Sequence, residues 1–470
     1  MANGNVGLGG FNSGIDFGVL IDAIVARSSR PLQQLQAQRS TVQARADALR
    51  ELNARLIKFT EAARALADNA LAAARSTTSS NAAVATATAS DGASPTAINL
   101  SVARLATAFA QATRSFASPN DPVLAAGATS ATFELRKGGA SSGPTITIDA
   151  SNNSLVGLRD AINAANAGVT AAIVDVGGNG SAYQLVLTST DTGASNRVQL
   201  IETSATGTEA NLNLRALNPT GSPPDYSLLD AEINLNGLVV HRAANKIADL
   251  VAGVTFELKS AGTTTITVAA DARSVADKVK AFVEAYNSVQ DFILSQQNDA
   301  AGKAGGPLAS DATLRAVQRT LRDALAASST GNGGAFTNLT EIGIGRDERG
   351  KLTLDQAKLD DRLQNAFADT VALLAGRTPS NVGLADQILT TASSLSDQVS
   401  GTVQLAIKGY TDSASRLDRL IADNQARLDR LRESLTRQFA AVDAAISQLN
   451  GQGTALNNII RSLQPQQNNR

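Results

Sequence analysis

A seven-residue repeat of apolar positions near the C-terminal end is the clearest pattern in the chain. It continues from Ile407 to Leu463 without interruption, and a second set of positions, three residues further on, alternates between apolar and polar side chains. This spacing is typical of a long helix with a narrow apolar seam, as in a coiled coil. The main repeat consists of Ile407, Ala414, Ile421, Leu428, Leu435, Val442, Leu449, Leu456 and Leu463, and Ile459 belongs to the second set.

A matching repeat occupies the N-terminal end. Pro31 interrupts it, which predicts two consecutive helices, with Ser28 and Ser29 available to cap the second. One helix cannot bury a narrow seam by itself, so we expect the two ends of the chain to pack side by side. The alternative is that each repeat faces a globular core of its own. The N-terminal repeat consists of Ile21, Ser28, Leu35, Val42, Leu49, Leu56 and Ala63, with Ile24, Leu52, Phe59 and Leu66 between them.

Polar residues stand at three of the C-terminal seam positions, namely Asn424, Gln438 and Gln452. Within a coiled coil such residues weaken the seam and specify its register, and the alternative is that they simply face solvent. With the two ends paired, the predicted coiled-coil seam consists of Leu35, Val42, Leu49, Leu56, Ile421, Leu428, Leu435 and Val442.

The middle of the chain changes to short runs of alternating β-branched residues between glycine-rich turns, which predicts antiparallel strands. Residues 218–224 contain three prolines and are typical of a linker. Helical periodicity then returns, and residues 342–354 predict a β-hairpin with its turn at 347–350. The predicted strands are 98–102, 132–135, 146–148, 171–176, 183–188, 198–201, 232–238, 254–258 and 265–268, and the predicted helices are 155–167, 275–294, 311–327 and 356–375.

Together these elements predict an α+β protein with a nested order. Long antiparallel terminal helices form coiled-coil legs, a helical stalk domain follows, and β-rich head domains are inserted between its two halves. The predicted domains are a leg (1–36 with 436–470), a stalk with a β-hairpin (37–77 with 272–435), a β-rich head domain (78–115 with 225–271) and a second, α/β head domain (116–224).

The composition and net charge exclude several classes of binding partner and reactive site. The net charge of −1 gives no electrostatic footprint for nucleic acid or an anionic membrane, and no window approaches the roughly 20 apolar residues of a membrane span. The chain has no Cys and one His, which removes thiolate chemistry and any two-His zinc site. We therefore expect no cofactor, no metal, no nucleic-acid partner and no membrane partner. The first residues lack the basic and apolar regions of a cleavable signal peptide.

Candidate catalytic residues are few. His241 lies in a predicted strand with no nucleophile elbow nearby, and an isolated strand histidine is usually an ordinary surface residue. The glycines at 7–10 lack the Lys and Ser/Thr of a phosphate loop, and the turn at 347–350 lacks the ligand spacing of an EF-hand. The pair Asp360 and Asp361 has no aromatic sugar platform to accompany it. We expect the protein not to be an enzyme.

Several stretches resemble one known family, in order, over nearly the whole chain. The run 9–16, followed by Leu20, Ile21, Pro31 and Leu32, looks like the opening of the flagellar hook-associated protein 2, or filament cap, family. Residues 158–163 with 183–188 resemble the IN motif shared by flagellin and hook-associated proteins. The segments 234–237, 245–255, 282–287 and 339–354 are similar to the C-terminal half of the family.

The resemblance implies a structural role outside the cell, at the tip of the bacterial flagellum. Members of the family form a ring at the distal end, of about five or six copies, beneath which exported flagellin is folded and inserted. The implied partners are further copies of the chain, flagellin, the hook-associated junction proteins, a cytoplasmic export chaperone, and host or surface glycans. The residues expected to contact the filament are Ile21, Ile24, Leu449, Leu456, Ile459 and Leu463.

Two other functions remain open at this point. One is that of a hook–filament junction protein or a flagellin-like structural protein, because flagellins also pair their terminal helices. The other is adhesion, because β-rich domains at a filament tip are well placed to touch surface glycans.

Overall fold

The computed structural model describes residues 16–177, 182–204, 207–297, 305–378 and 380–463, and describes side chains as far as Arg461. Three predicted features lie outside the described residues. They are residues 9–15 of the family-like opening, residues 178–180 of a glycine-rich turn, and the side chain of Leu463. The chain divides into two compact units, Met1–Asn69 with Arg273–Arg470 and Ala70–Ala272. The four-part division stays a prediction.

The described helices and strands are mixed, and the predicted α+β class is confirmed. The helices are α1 (Phe17–Ser28), α2 (Arg30–Leu66), α3 (Leu155–Ala164), α4 (Ala272–Gln296), α5 (Ala312–Leu325), α6 (Gln356–Asn365), α7 (Phe367–Ala375), α8 (Leu384–Ser396) and α9 (Thr402–Leu463). The strands are β1 (Arg75–Ser79), β2 (Ala85–Ala89), β3 (Thr96–Arg104), β4 (Ala108–Ala112), β5 (Ser130–Lys137), β6 (Thr145–Asp149), β7 (Val169–Asp175), β8 (Tyr183–Thr192), β9 (Val198–Glu202), β10 (Arg215–Asn218), β11 (Ala231–Leu235), β12 (Leu238–Arg242), β13 (Lys246–Val251), β14 (Val254–Leu258), β15 (Gly262–Ala270), β16 (Ile344–Arg346) and β17 (Leu352–Leu354).

The helical unit is organised around α2. Its inward face is fully buried at Leu49, Leu52 and Leu56, and the ring of Phe59 lies 5.2 Å from that of Phe282 in α4. The N-terminal break is found where it was predicted, since α1 ends at Ser28 and α2 has proline at its start. Ser29 occupies the N-cap position, yet its hydroxyl donates backwards to the carbonyl of Ala26 instead of capping α2.

A polar contact joins two helices of this unit, α5 and α9. Asp311 caps α5 by accepting hydrogen bonds from the backbone of Thr313 and Leu314, and it also accepts one from the hydroxyl of Tyr410 in α9, at 2.5 Å. Burial raises the pKa of Tyr410 above its usual value, and the contact with Asp311 raises it further, while Arg45 of α2 lowers it. The contact fixes the start of α5 against α9.

The predicted helix 356–375 is wrong as a single element. It is two helices, α6 and α7, separated at Ala366, whose backbone angles are φ −142° and ψ 42°. The reason is burial. Helix α6 is amphipathic and buries Leu359 and Leu363, whereas every residue from Thr370 to Ala375 in α7 is buried, so the chain turns to enter the core.

Side chains of α4 hold the β16–β17 hairpin by its backbone. The amide of Asn287 donates to the carbonyl of Leu352 and accepts from its N–H, both at 2.8 Å. Gln290 donates to the carbonyl of Arg349 at 2.8 Å, and the hydroxyl of Tyr286 donates to that of Gly350 at 3.0 Å. A three-residue strand pair is too short to be stable alone, so these bonds are needed to keep it in place.

The first core of the inserted unit lies between two antiparallel sheets, β1-β15-β3-β11-β12 and β13-β14-β2. The predicted strand 232–238 is wrong, because the chain reverses within it. Asn236 and Gly237 adopt positive φ angles of 50° and 95°, and β11 pairs with β12 as a hairpin. An Asn-Gly pair is the strongest short-range signal for such a turn, and it was present in the sequence.

The second core of this unit packs α3 against the sheets β10-β4-β8-β7 and β6-β5-β9. Leu158 and Ile162 of the IN-like motif are fully buried, and the side chain of Asn163 forms two hydrogen bonds with the backbone of Ala171. The motif therefore joins helix to sheet. Strands β1, β2, β4, β10 and β13 have no counterpart among the strands predicted above; β10 ends at Asn218, where the proline-rich segment begins.

Candidate assembly surface on the terminal helices

The ends of the chain run antiparallel, as predicted. Arg39 of α2 forms an ion pair with Asp418 of α9 at 3.0 Å, and Arg50 donates to the hydroxyl of Thr411 at 3.4 Å. Further along, Asp22 of α1 is bound by Arg432. These pairs proceed in opposite directions along the two chains, so α9 packs first on α2 and then on α1.

Most of the predicted seam is enclosed in this pairing. Leu49 and Leu56 are fully buried and Leu428 is buried, while Leu35, Val42, Ile421 and Leu435 are half-buried. The graded burial follows the number of neighbours, since the C-terminal half of α2 packs on α4 and α8 as well as on α9, whereas among the described residues the N-terminal part of α2 packs mainly on α9.

The seam departs from the predicted positions after Leu435. From Phe439 onward the half-buried residues are Phe439, Asp443, Ile446 and Ser447, and Val442, predicted to lie in the seam, is 46% exposed. The ring of Phe439 stacks on that of Phe17, with centroids 5.2 Å apart. A straight helix drifts by about 20° per heptad, so a strict seven-residue repeat rotates away from the partner. The seam positions after Leu435 were therefore wrongly assigned.

Every described residue of α9 from Gln448 to Arg461 is exposed, and the large aliphatic side chains there, together with Val442, form a group that we call the C-terminal ridge. Its members share one side of α9 and are between 46% and 65% exposed, and they are Val442, Leu449, Leu456, Ile459 and Ile460. Large aliphatic side chains gathered on one exposed helix face usually mark an interaction site.

The charge pattern of α9 changes at the same place. Between 408 and 437 charged residues of both signs are interspersed, whereas between 438 and 463 the charged residues are Asp443 and Arg461. Gln438 and Gln452 are exposed, as the solvent interpretation of these positions requires, and Asn424 is half-buried and bonds to the carbonyl of Leu420 in its own helix. The ridge therefore lies on a nearly uncharged helix segment.

The two N-terminal residues predicted to contact the filament, Ile21 and Ile24, are not exposed in the structure. Ile21 is buried and Ile24 is half-buried, so the structure does not place them on the ridge's exposed face. The exposed apolar residues of α1 are Val19 and Leu20 instead. Sequence reasoning missed these two and Ile460, because it followed the heptad positions and not the residues beside them.

The residues considered for catalysis are ordinary surface groups. His241 lies on β12, half exposed, with its Nε2 atom 3.6 Å from the carboxylate of Glu232. Asp360 and Asp361 are exposed on α6, where they accept hydrogen bonds from Gln356 and Asn365. Among the residues that the structure describes, no cluster of three metal-ligating side chains was found, and none of the helices has the length and apolarity to span a membrane.

Comparison with known proteins identifies the family. The family model for the C-terminus of flagellar hook-associated protein 2 matches residues 229–451, the model for its N-terminus matches 13–109, and the flagellin hook IN motif matches 137–191. The B-type flagellar hook-associated protein 2 of Pseudomonas aeruginosa is 31% identical over 98% of both chains. The chain belongs to the flagellar hook-associated protein 2 family.

Two further similarities agree with membership of the flagellar hook-associated protein 2 family. The Escherichia coli K12 protein of that name is 32% identical over 95% of this chain and 96% of its own. The crystal structure of the D1-D2-D3 domains of the Escherichia coli flagellar cap protein FliD matches with a TM-score of 0.58 and 29% identity, covering 77% of this chain and 99% of that one. The family resemblance predicted from the sequence is confirmed, and the junction, flagellin-like and adhesin alternatives are not favoured.

Proposed function

We propose that this chain caps the distal tip of the flagellar filament, and that the C-terminal ridge docks onto the filament. The single observation that supports the docking surface is the exposure of five aliphatic side chains on an almost uncharged end of α9. Together with its family, this makes the leg the part of the molecule best suited to bury itself among filament helices.

The ridge suits a reversible attachment. Full burial of one large aliphatic side chain contributes about 1.5–3 kcal/mol, and part of this is offset by ordering the end of the helix. The segment needs no charged partner, because it carries almost no charge itself. A cap that holds by a few such contacts can release one site and bind the next as subunits are added.

The assembly around this leg is proposed from the family. Further copies of the chain would close a ring of about five or six through a heterologous, rotationally repeated interface. Flagellin would be retained and folded beneath it, the hook-associated junction proteins would receive the first cap, and an export chaperone would hold the chain in the cytoplasm. The proposed location is the extracellular tip of the flagellum, and the proposed role is structural and not enzymatic.

The docking surface is tested by adding charge to it. In a strain lacking its own copy, the variant Leu449→Glu/Leu456→Glu/Ile459→Glu is compared with Leu420→Glu, an exposed substitution elsewhere on α9. We expect the triple variant to give few or no filaments and to release flagellin into the medium, while the control restores filaments. Normal filaments with the triple variant, at equal export, would overturn the assignment of the ridge.

Adhesion to glycans is a separate proposal. It is checked with the full-length protein on a glycan array, and absence of binding to every glycan would remove it without affecting the capping function.

A further inference from the structure

Three Asn-Gly dipeptides lie in the described parts of the chain, each in a different setting. They begin at Asn236, Asn332 and Asn450. Asparagine is thermolabile because the next backbone nitrogen can attack its side-chain carbonyl carbon, and the attack is fastest before glycine, which has no side chain to hinder it. The intrinsic chemistry of the three is the same, so any difference in their reaction rates comes from the surrounding structure.

Asn236 is held in the hairpin turn between β11 and β12. Its backbone N–H donates to the carbonyl of Asn99, and its side-chain oxygen accepts from the N–H of Asn99, both at 2.9 Å. The backbone nitrogen of Gly237, which would have to attack, donates to the side-chain oxygen of Asn234 at 2.7 Å. The hairpin also pairs with β3, so freeing this dipeptide requires opening part of the five-stranded sheet.

Asn332 is buried, with 1% of its surface exposed. Its amide group donates to the carbonyls of Ser329 at 2.8 Å and Phe336 at 2.9 Å, and its side-chain oxygen accepts from the N–H of Gly334 at 2.7 Å. These three bonds fix the carbonyl carbon that would be attacked, and burial keeps out the water that completes the reaction. The fold therefore protects Asn332 as well.

Asn450 lies in the exposed end of α9, where the protection comes from the helix itself. In an α-helix the N–H of each residue is bound to the carbonyl four residues earlier, and the backbone angles hold that nitrogen away from the preceding side-chain carbonyl carbon. Attack by Gly451 on Asn450 thus requires this part of the helix to open. The reaction rate depends on how often it does so.

The helix around Asn450 is weak. Every described residue from Gln448 to Arg461 is exposed, and Arg461 is the one charged residue of this range, so neither packing nor an i,i+4 ion pair within it supports the helix. Gly451 and Gly453 lower the helix propensity further, and a Cβ at either would have no neighbouring atom within 4 Å. A short helix without packing is marginal in water and opens far more often than a buried one.

We propose that Asn450 is a site of spontaneous deamidation, and that the product weakens docking of the C-terminal ridge. In the opened helix the backbone nitrogen of Gly451 attacks the side-chain carbonyl carbon of Asn450. A carbon–nitrogen bond forms to close a succinimide ring, and the side-chain nitrogen leaves as ammonia, taking the proton of the Gly451 N–H. Water then opens the ring at either carbonyl, which leaves aspartate or isoaspartate at position 450.

The effect on docking rests on the proposed function. Position 450 adjoins Leu449 of the ridge, so the reaction places a negative charge beside an apolar side chain on a nearly uncharged segment. Burying that carboxylate among filament helices is unfavourable unless it finds a partner. Isoaspartate also adds a carbon to the main chain and interrupts the helix. An old cap is therefore expected to hold the filament less firmly than a newly exported one.

The reaction is measured by incubating the purified full-length chain at mildly alkaline pH and locating the mass increase of deamidation by tandem mass spectrometry of its peptides. We expect Asn450 to react about tenfold or more faster than Asn236 and Asn332, because its helix opens most often. In denaturant the three should react at similar rates, which checks that the fold causes the difference. Equal rates in the folded chain would overturn the proposal.

Glycine variants test whether opening of the helix controls the rate. Gly453→Ala keeps the Asn-Gly dipeptide and raises helix propensity, so deamidation of Asn450 should slow several-fold. Gly409→Ala is the matched control, since it makes the same change far away in α9 and should leave the rate as it is. If Gly453→Ala also leaves the rate as it is, the proposed opening is wrong.

The effect on docking is measured separately, in a strain lacking its own copy. Asn450→Asp should give fewer filaments than Asn450→Gln, which keeps an uncharged amide and removes the reactive dipeptide. Equal numbers of filaments would overturn the effect on the ridge. Because the mass measurement needs no filament, failure of the deamidation and failure of the proposed function are distinguishable.

Discussion

The ring of Phe17 in α1 stacks on the ring of Phe439 in α9, with centroids 5.2 Å apart and an angle of 23° between their planes. This contact lies where the seam departs from the seven-residue repeat. Phe439, and not Val442, is the residue that faces α1, and the side chains of the ridge are exposed. This aromatic pair therefore identifies the side of α9 that packs against α1.

Replacing Phe439 by alanine should release α1 from α9. We expect a loss of about 1–3 kcal/mol of local stability, since the removed ring of Phe439 is half-buried and Phe17 loses its stacking partner. Hydrogen–deuterium exchange should show faster exchange in residues 17–28 and unchanged exchange in α4. The matched control is Val442→Ala, which removes an exposed side chain and should alter neither; equal exchange in both variants would contradict the role of the stack.

The side-chain amide of Asn287, which holds the β16–β17 hairpin, should contribute strongly to stability. Asn287→Leu removes both hydrogen bonds to Leu352 and leaves partly buried backbone groups unsatisfied, so we expect a loss of about 1–3 kcal/mol in the free energy of unfolding. Chemical denaturation of the full-length chain measures it. Lys280→Ala, exposed on the same helix, should cost less than about 0.5 kcal/mol. Similar midpoints for the two variants would refute the clamp.

Two glycines of the same region should respond in opposite directions. Gly401→Ala places a Cβ against the backbone of Asp397, in the turn between α8 and α9, and should lower the free energy of unfolding by about 1–3 kcal/mol. Gly409→Ala, two turns into α9 with nothing within 4 Å of the new Cβ, should stabilise the protein by up to about 1 kcal/mol. Thermal unfolding of both variants gives the comparison, and destabilisation by Gly409→Ala would contradict the described packing.

Acid should loosen the turn between α8 and α9, residues 397–401, by protonating Asp397. Its pKa is lowered in the folded chain, so its contribution is present above the usual carboxyl pKa and is lost as the pH falls through the lower, folded value. We therefore expect the native chain to protect the Val399 and Ser400 amides better than Asp397→Asn at neutral pH. The difference should vanish at strongly acidic pH, as measured by amide exchange corrected for the intrinsic pH dependence. A difference that persists there would rule out the carboxylate as its source.

Local sequence signals predicted much of this fold because they are strong within a few turns. The pairing of the ends, the break before Pro31 and most central strands follow from periodicity and proline or glycine chemistry. The failures came from effects beyond that range. The heptad positions after Leu435 assume a supercoiled helix, and the break at Ala366 depends on a core that no local pattern reveals. The Asn236-Gly237 turn is different, since its signal was local and was overlooked.

The site was less predictable than the fold. The sequence predicts that Leu449, Leu456 and Ile459 contact the filament, and the structure exposes all three, while contact with the filament stays a prediction.

The inserted unit closes on itself. Arg75, in its first strand, pairs with Ala270 in its last, and the N–H of Asp271 donates to the carbonyl of Ala74 at 3.1 Å. The chain thus enters and leaves this unit at adjacent points. A domain whose two ends are adjacent can be enlarged, shortened or replaced while the flanking helices keep their sequence. Two related chains can therefore differ widely in the inserted unit while sharing the same helical unit.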